Sequence, residues 1–148
     1  MTTVRGKRLL HASPGTVWLH IFDPASLARL IPGCQRLEQV SAGDYRGQVR
    51  LGIAAVGGTY RTRVRVTEQC EPEYCAFDGE VEGPTGTIKG KVTLALKKVG
   101  NDTTELEYEG TAMITGALAT LSSRLIESAA QSLINQGLAR FSQELQPD

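Results

Sequence analysis

The last third of the chain, residues 116–145, carries the longest amphipathic pattern in the sequence. Its apolar residues recur three to five positions apart, which is typical of one face of an α-helix. They are Leu118, Leu121, Leu125, Ala129, Leu133, Leu138, Phe141 and Leu145. Thr115 precedes the pattern as a candidate cap and Pro147 follows it, while polar residues such as Gln131 are expected to face water. We predict one long helix buried along the face that Leu125 centres.

The rest of the chain reads mainly as short strands. Apolar and polar residues alternate from residue 35 to residue 114, the period of half-buried strands. The predicted strands are 4–11, 35–40, 45–53, 57–70, 74–83, 87–98 and 103–114. Ser13-Pro14 and Asp23-Pro24 each combine a capping residue with a proline suited to a first helical turn. Two short helices therefore follow the first strand, and the second, Ala25–Leu30, ends at the turn Ile31-Pro32-Gly33.

The two parities of the predicted strands differ in polarity. The apolar parity holds Tyr45, Val49, Leu51, Ile53, Tyr60, Val64, Val66, Phe77, Val81, Ile88, Val92, Leu94, Leu96, Leu106, Tyr108, Ala112 and Ile114. The other parity is charged, with a sign that alternates from one strand to the next: Arg61, Arg63 and Arg65, then Glu80 and Glu82, then Lys89 and Lys91, then Glu105, Glu107 and Glu109. This favours a solvated ladder of opposite charges in an antiparallel meander over a nucleic-acid patch.

This order of elements predicts an α+β helix-grip fold, in which a curved antiparallel β-sheet wraps around the long C-terminal helix and two short helices follow strand 1. At 148 residues the chain has the length of one domain, spanning residues 1–148. Gly79, Gly83, Gly90 and Gly110 fall on the apolar parity. Because they lack side chains, we expect either a close helix approach or a cavity beside them.

Composition narrows the choice of partners. The 16 basic residues are balanced by 16 acidic ones, so no global field attracts nucleic acid. The sequence contains neither a run of signal-peptide length nor the roughly 18 consecutive apolar residues of a membrane span. We therefore expect a cytoplasmic protein without an anchor in this chain, whose membrane contact is peripheral, at the inner face. Cys34, Cys70 and Cys75 have no metal-ligand spacing and are expected to be free thiols.

The residue set for catalysis is sparse. Only His11 and His20 could act as a histidine base, and neither has a nucleophile at readable spacing. The sequence lacks a clustered metal-ligand set and a phosphate-binding glycine motif followed by a helix. We predict a protein that is not an enzyme and holds neither metal nor cofactor. Two alternatives stay open: a hydrolase or cyclase that uses buried polar groups such as Tyr60, Thr62, Glu68 or Tyr108, and a ligand-free adaptor module with a fully packed core.

Several motifs along the chain resemble one family. They are Ser13-Pro14-Gly15-Thr16-Val17-Trp18, Asp23-Pro24, Leu30-Ile31-Pro32-Gly33-Cys34, the stretch 83–90 and Leu121-Ser122-Ser123-Arg124-Leu125-Ile126. Together they resemble the carbon monoxide dehydrogenase G-subunit family, within the START-like helix-grip (SRPBCC) superfamily. The first motif is common to the superfamily, whereas the turn before Cys34 and the segment 123–126 are more particular. The resemblance covers nearly the whole chain.

The resemblance implies a non-catalytic accessory protein of a carbon monoxide dehydrogenase-type molybdenum hydroxylase. Members of this family are associated with recruiting the dehydrogenase to the membrane and with holding a quinone- or lipid-like molecule between sheet and helix. Many relatives continue into a hydrophobic C-terminal segment, whereas this sequence ends at Gln146-Pro147-Asp148. Anchoring by its own tail is therefore not expected.

We expect the hydrophobic ligand to contact side chains of the sheet, the short helices and the long helix. The candidates are Trp18, Phe22, Leu27, Leu30, Ile31, Tyr60, Val64, Phe77, Ile88, Val92, Tyr108, Leu118, Leu121 and Leu125. Among them Phe22, Leu27, Leu30 and Ile31 are expected to form a lid that faces Leu118 and Leu121. Such short segments, bounded by proline and glycine, open at low cost.

Overall fold

A computed structural model describes the backbone of residues 1–31, 33–53 and 56–145, with all side chains in these ranges except those of residues 53, 56 and 57. The predicted inward side chain of Ile53 and the helix stops Pro32 and Pro147 lie outside the described residues. The elements run in the order β1 (Thr2–Leu10), α1 (Pro14–Phe22), α2 (Pro24–Leu30), β2 (Cys34–Ser41), β3 (Asp44–Ile53), β4 (Val56–Cys70), β5 (Tyr74–Gly83), β6 (Gly86–Gly100), β7 (Thr103–Gly116), a 3₁₀ turn (Ala117–Thr120) and α3 (Ser123–Leu145).

The seven described strands form one antiparallel sheet in the order β1-β7-β6-β5-β4-β3-β2. Strands β2 to β7 make a meander, and β1 adds to its far edge beside β7. The predicted α+β helix-grip fold is confirmed, with two short helices after β1 and the long helix last. The cap of α1 is also as expected, since the Ser13 hydroxyl accepts a hydrogen bond from the Thr16 amide at 3.3 Å.

The predicted charge ladder holds across three strands and then changes partner. Arg63 of β4 lies opposite Glu80 of β5, which lies opposite Lys89 of β6 at 3.4 Å. The expected continuation onto the β7 glutamates is wrong at this point, because Lys89 faces Met113. The short β6–β7 connection at residues 101 and 102 sets this register. The outer glutamates at 107 and 109 instead lie opposite Lys7 and Arg5 of β1.

The inner face of the sheet, which carries the predicted apolar parity, packs into two apolar clusters. The first cluster joins α1, α2 and the C-terminal half of α3 to the sheet through Leu10, Val17, Trp18, Ile21, Leu27, Tyr45, Phe77, Leu94, Leu96, Leu106, Leu138, Phe141 and Leu145, among others. The second cluster surrounds Val49, Tyr60 and Leu118 at the other end of the sheet. Ile31 packs against both clusters. Burial of these side chains, at ~1.5–3 kcal/mol each, is the main force that closes the fold.

The long helix begins later than predicted and its first turns differ in phase from the prediction, whereas Leu138, Phe141 and Leu145 are buried as predicted. Gly116 and the 3₁₀ turn intervene, so Leu118 precedes the helix, and the Ser122 hydroxyl, not Thr115, accepts the Leu125 amide at 3.1 Å. The buried residues of α3 are Ile126, Gly137, Leu138, Phe141, Ser142 and Leu145. Leu125 is 40% exposed, so the expectation that it centres the buried face is wrong. The face that begins at Ile126, one residue on, is the one that packs.

The C-terminal half of α3 is attached to α2 by a close backbone approach and an ionic network. A methyl group at Gly137 would overlap the carbonyl oxygen of Arg29, so only glycine permits this approach. The buried Ser26 hydroxyl lies 2.6 Å from Glu144 Oε1, and Arg29 pairs with the same carboxylate at 3.0 Å. These contacts fix where α3 lies over the sheet.

The phase of the first turns of α3 predicts different losses of stability for substitutions at the adjacent residues Leu125 and Ile126. Ile126→Asp places a carboxylate at a position that is 8% exposed, and we expect it to destabilise the fold by several kcal/mol. Leu125→Asp, which starts from an exposed side chain, should change stability by only about 0.5 kcal/mol. Thermal unfolding followed by circular dichroism measures both. Equal losses of Tm in the two variants would contradict the observed helix phase.

The three cysteines are free thiols in different surroundings. Cys70 is exposed, whereas Cys75 lies on the inner face, where burial raises its pKa to about 12. Burial also raises the pKa of the half-buried Cys34. Because Cys70 and Cys75 differ this far in exposure, the structure gives no support to a bridge between them.

These environments predict the order in which the thiols react. A thiolate is the nucleophile, so at pH 8 a water-soluble thiol reagent should modify Cys70 first and Cys34 more slowly. Cys75 should react only after denaturant exposes it, because its raised pKa leaves almost no thiolate. Mass spectrometry of timed samples measures the order. Early modification of Cys75 in the native protein would contradict the assigned burial.

Candidate ligand-binding site

The inner face of the sheet is left uncovered between the two clusters. Val92 of β6 points to this face, as predicted, and yet it is 41% exposed, whereas Leu94, two residues on, is buried. The backbone of α3 approaches β1, α2 and β3 most closely, and Val92 belongs to neither apolar cluster. An apolar side chain on the core side of the sheet is therefore free to contact another molecule.

A row of small residues crosses the sheet beside Val92. Ala112 of β7 lies opposite Gly90 of β6, which lies opposite Gly79 of β5. A Cβ atom added at Gly79 would meet no atom within 4 Å. Since neighbouring strands are ~4.8 Å apart, the row spans roughly 10 Å. Open space is therefore present at the Gly79 end of the row.

The side chains on either side turn this row into a shallow groove. Val92 and Phe77 form one wall, and they face each other across β5 and β6. Ile88 and Val81, also opposite each other, form the other wall. We call the small-residue row with these two walls the inner groove. Its lining is apolar, as in sites that bind hydrophobic molecules.

The four inward glycines have different surroundings, and only one leaves open space. The ring of Tyr60 lies where a side chain at Gly83 would stand, and the backbone of β7 closely approaches Gly90. A methyl group at Gly110 would make ordinary contacts with Val4 and Val92, at 3.4 and 3.6 Å. Of the two outcomes expected at these glycines, open space is present at Gly79, whereas the other three positions are occupied by neighbouring atoms.

A polar pair joins α3 to the sheet over β1. Tyr108 of β7 lies across Gly6 of β1, where any side chain would overlap its hydroxyl. Gln131 of α3 donates from Nε2 to this hydroxyl at 2.6 Å. Tyr108 is 7% exposed and Gln131 is half-buried. The pair therefore lies between the helix and the sheet, on the side of β7 that faces away from Val92.

Other polar groups on the inner face have partners within the protein. The Thr62 hydroxyl donates to the Glu80 carbonyl at 3.1 Å, and Tyr45 donates to the Phe22 carbonyl at 2.9 Å. The hydroxyls of Tyr60 and Thr85 are hydrogen-bonded to each other. Such contacts satisfy these groups without a ligand.

The predicted contact residues separate into the two clusters. In the first cluster lie Trp18, Phe22, Leu27, Leu30, Val64, Phe77 and Tyr108, and in the second lie Tyr60, Ile88, Leu118 and Leu121. Ile31 belongs to both, and Val92 borders the groove. Leu125, exposed on α3, lies outside both clusters.

The expected lid is wrong in most of its contacts. Only Ile31 shares a cluster with Leu118 and Leu121. Phe22, Leu27 and Leu30 pack instead in the first cluster, with the C-terminal half of α3. The reason is the close approach at Gly137, which draws α2 to that half of the helix.

The alternative of a buried catalytic carboxylate is not supported at Glu68. A bulge between Val66 and Glu68 shifts the register of β4 against β5, and Glu68 is exposed. His11 is exposed as well, and the Nδ1 atom of His20 is 2.9 Å from the Thr16 carbonyl. The pKa of Asp44 is lowered because the Arg63 guanidinium binds this carboxylate at 3.1 Å on the outer face, so the shift does not mark a catalytic group on the inner face.

Sequence reasoning missed two residues that hold the side chain of Tyr108. Gln131 was expected to face water, and Gly6 was given no role. The signal for both was Tyr108, because an inward tyrosine needs a partner for its hydroxyl and room for its ring.

A second concavity lies on the outer face. It is a trough of about 450 Å³, lined by Met1, Arg63, Arg65, Asp78, Glu80, Lys89, Lys91 and Met113, among others. Its charged side chains have both signs and belong to the ladder described above. This lining is unsuited to an apolar molecule, so we place the candidate site on the inner face.

Among the described residues, no group of three or more histidine, cysteine, aspartate or glutamate side chains could hold a metal ion. Within the same residues, no helix has the length and apolar content needed to cross a bilayer.

Comparison with solved structures supports the fold. A conserved protein from Geobacillus kaustophilus is 26% identical, with a TM-score of 0.89 over 97% of this chain and 94% of that one. A START superfamily protein from Mycobacterium smegmatis is 15% identical, with a TM-score of 0.71 over 99% and 100% of the two chains. The Zhui aromatase/cyclase from Streptomyces sp. R1128 is 14% identical, with a TM-score of 0.64 over 97% and 95%.

Comparison of sequences identifies the family. Among curated proteins, no sequence matches this chain. The family model for the G-subunit of carbon monoxide dehydrogenase (CoxG) matches residues 6–146. This match spans nearly the whole chain, including every strand and helix that borders the inner groove. The chain therefore belongs to the carbon monoxide dehydrogenase G-subunit (CoxG) family.

Proposed function

We propose that this protein binds a hydrophobic molecule of quinone or lipid type in the inner groove and acts without catalysis. The observation that carries the proposal is the open space above Gly79 beside the exposed inner-face side chain of Val92. Water in contact with such a surface is released when an apolar ligand covers it, at ~25 cal/mol per Å². The family and the START-like fold, which is built around a space between sheet and helix, support this choice.

The proposed role is that of an accessory protein to a molybdenum hydroxylase of the carbon monoxide dehydrogenase type. The family name supports a link with that enzyme. In this role the bound molecule assists either electron transfer from the dehydrogenase or its recruitment to the membrane face. Membrane contact is peripheral in this proposal.

An enzymatic role is the second candidate, because similar folds include aromatase/cyclases. Those neighbours are under 20% identical to this chain and therefore bear on its fold alone. A cyclase would use polar groups that face its substrate, whereas the inner-face polar groups, Tyr108 with Gln131 among them, are hydrogen-bonded within the protein. We favour binding without chemistry, since Glu68, the carboxylate on which the enzymatic hypothesis relied, is exposed.

Filling the groove should abolish binding without harming the fold. Gly79→Leu places a side chain in open space, at a backbone conformation that other residues also adopt. We expect Tm to be unchanged or raised, because glycine weakens a strand interior. The affinity for a short-chain quinone analogue should fall at least ~10-fold, equivalent to ~1.4 kcal/mol, because the leucine occupies the space of the ligand.

Titration calorimetry with the analogue measures this effect, and Gly15→Leu is the matched control. Gly15 is exposed on α1, and a Cβ atom there also meets nothing within 4 Å. Wild type and Gly15→Leu should bind equally. If wild type binds neither the quinone analogue nor a lipid recovered by native mass spectrometry, the carrier function is excluded and the adaptor hypothesis remains.

A further inference from the structure

We infer that the outer face of the sheet is a docking surface for a protein partner that presents clustered carboxylates. Under the proposed function this partner is the dehydrogenase, so the inference rests on that function and specifies the surface that serves it. The carrying observation is one cross-strand row of outward side chains in which the charge ladder departs twice from opposite-charge pairing. We call it the middle row, and it consists of Glu38, Arg46, Arg63, Glu80, Lys89 and Met113.

The first departure in the middle row is a pair of like charges. Arg46 of β3 lies directly opposite Arg63 of β4. Asp44 binds both guanidinium groups, at 3.9 Å from Arg46 and 3.1 Å from Arg63. Because like charges opposite each other destabilise a strand pair, pairing within the sheet does not account for this arrangement. A carboxylate supplied by another molecule would complete it.

The second departure is an apolar side chain where a carboxylate would pair. Lys89 of β6 lies opposite Met113 of β7, whose side chain is 64% exposed. A glutamate at this position would continue the ladder, whereas an exposed methionine adds little to the stability of the sheet. Arginine and methionine are both enriched where proteins bind one another. The two departures therefore suit contact with a partner protein better than contact with water.

The surface around the middle row carries an excess of positive charge. The middle row and the two rows beside it, which run through Arg65 and Arg61 of β4, hold seven basic and five acidic side chains. The whole chain, by contrast, has a formal net charge of zero. Arg65 and Lys91, which line the outer trough, take part in none of the ion pairs of the described side chains. This excess attracts an acidic partner and orients it toward the outer face.

The shape and the mixed charge of this surface favour a protein over a membrane or a nucleic acid. The rows border the trough of about 450 Å³, and a flat bilayer does not fill a concavity, whereas a projecting loop or helix does. Asp78 and Glu80 also line the trough, and their carboxylates repel the continuous negative charge of a nucleic acid backbone. A protein surface can instead match both signs.

The docking surface lies directly behind the inner groove. Gly79, Gly90 and Ala112, which form the small-residue row of the groove, also line the trough. Because these residues have little or no side chain, the backbone of the sheet is what separates the two sites. A partner on the outer face therefore lies close to the ligand and leaves the groove open. From β3 to β7 the middle row spans ~19 Å, the scale of a transient redox encounter rather than a permanent complex.

Completing the ladder should weaken docking without harming the fold. Met113→Glu places a carboxylate opposite Lys89, so we expect Tm to be unchanged or raised. The same substitution repels an acidic partner and removes the methionine contact. We expect the affinity for purified carbon monoxide dehydrogenase to fall ~10-fold, mainly through slower association, and wild-type binding to weaken as salt is added. Biolayer interferometry measures both rate constants, and thermal unfolding measures Tm.

Val99→Glu is the matched control, because Val99 is also an exposed apolar residue of the sheet, 47% exposed near the end of β6. Its affinity for the dehydrogenase should equal that of wild type. Arg46→Gln removes the like-charge pair and should lower the affinity ~3-fold at an unchanged or raised Tm. This variant carries the test if Met113→Glu lowers Tm.

Three outcomes would overturn the docking surface. Equal binding of the dehydrogenase to wild type and to both middle-row variants overturns it and leaves the accessory role intact. If the dehydrogenase does not bind wild type, the accessory role fails and the docking surface with it. Phosphatidylglycerol vesicles or duplex DNA that bind wild type but not Met113→Glu, with dehydrogenase binding unchanged, would assign the surface to that polyanion instead of a protein.

Discussion

The approach of α2 to α3 at Gly137 determines how much of the inner face stays open. Because the Arg29 carbonyl occupies the place of a side chain there, the two helices meet backbone to backbone, and Glu144 binds Ser26 and Arg29 further along the helix. The first cluster then forms around Phe141 and Leu145 at that end. In the N-terminal half of α3, Ile126 is buried and Ile134 packs against the first cluster, whereas Leu125 stays 40% exposed.

The sheet completes this arrangement from the other side. A helix fixed at one end can still cover a sheet if long side chains of the sheet contact it. Leu94 and Leu96 of β6, which are buried near α1, are side chains of this kind. At the row of Gly79, Gly90 and Ala112 no such side chains are present. Natural cores are packed at nearly crystalline density, so the open space at Gly79 is a place where a bound molecule or a neighbouring side chain can pack. The groove thus results from two independent properties of the sequence.

The sequence predicted much of this fold, and the errors have common causes. The antiparallel meander and most of its parity were predicted correctly because alternation is a local signal that burial of one face reinforces. The phase of the first turns of α3 was not, since Leu125 and Ile126 fit an apolar stripe equally well, and the decision depends on Gly137, whose partner lies more than 100 residues away in the chain. The bulge before Glu68 was likewise invisible, because one extra residue changes the parity without changing the composition. The open space at Gly79 was one of the two outcomes expected from its parity, whereas the bond between Tyr108 and α3 required knowing that Gln131 turns inward.

Tyr60 and Tyr108 show how the inner face pairs its buried polar groups. Both are buried tyrosines on the same face, and each lies against a glycine of a neighbouring strand. Tyr60 bonds to Thr85, a residue of the β5–β6 turn, so its hydroxyl serves the second cluster. Tyr108 bonds to Gln131 of α3 above Gly6 of β1, so its hydroxyl joins the helix to the sheet. A buried hydroxyl with a partner costs little, whereas one that lost its partner would cost about 1–3 kcal/mol, so each of these pairs favours one packing of the inner face.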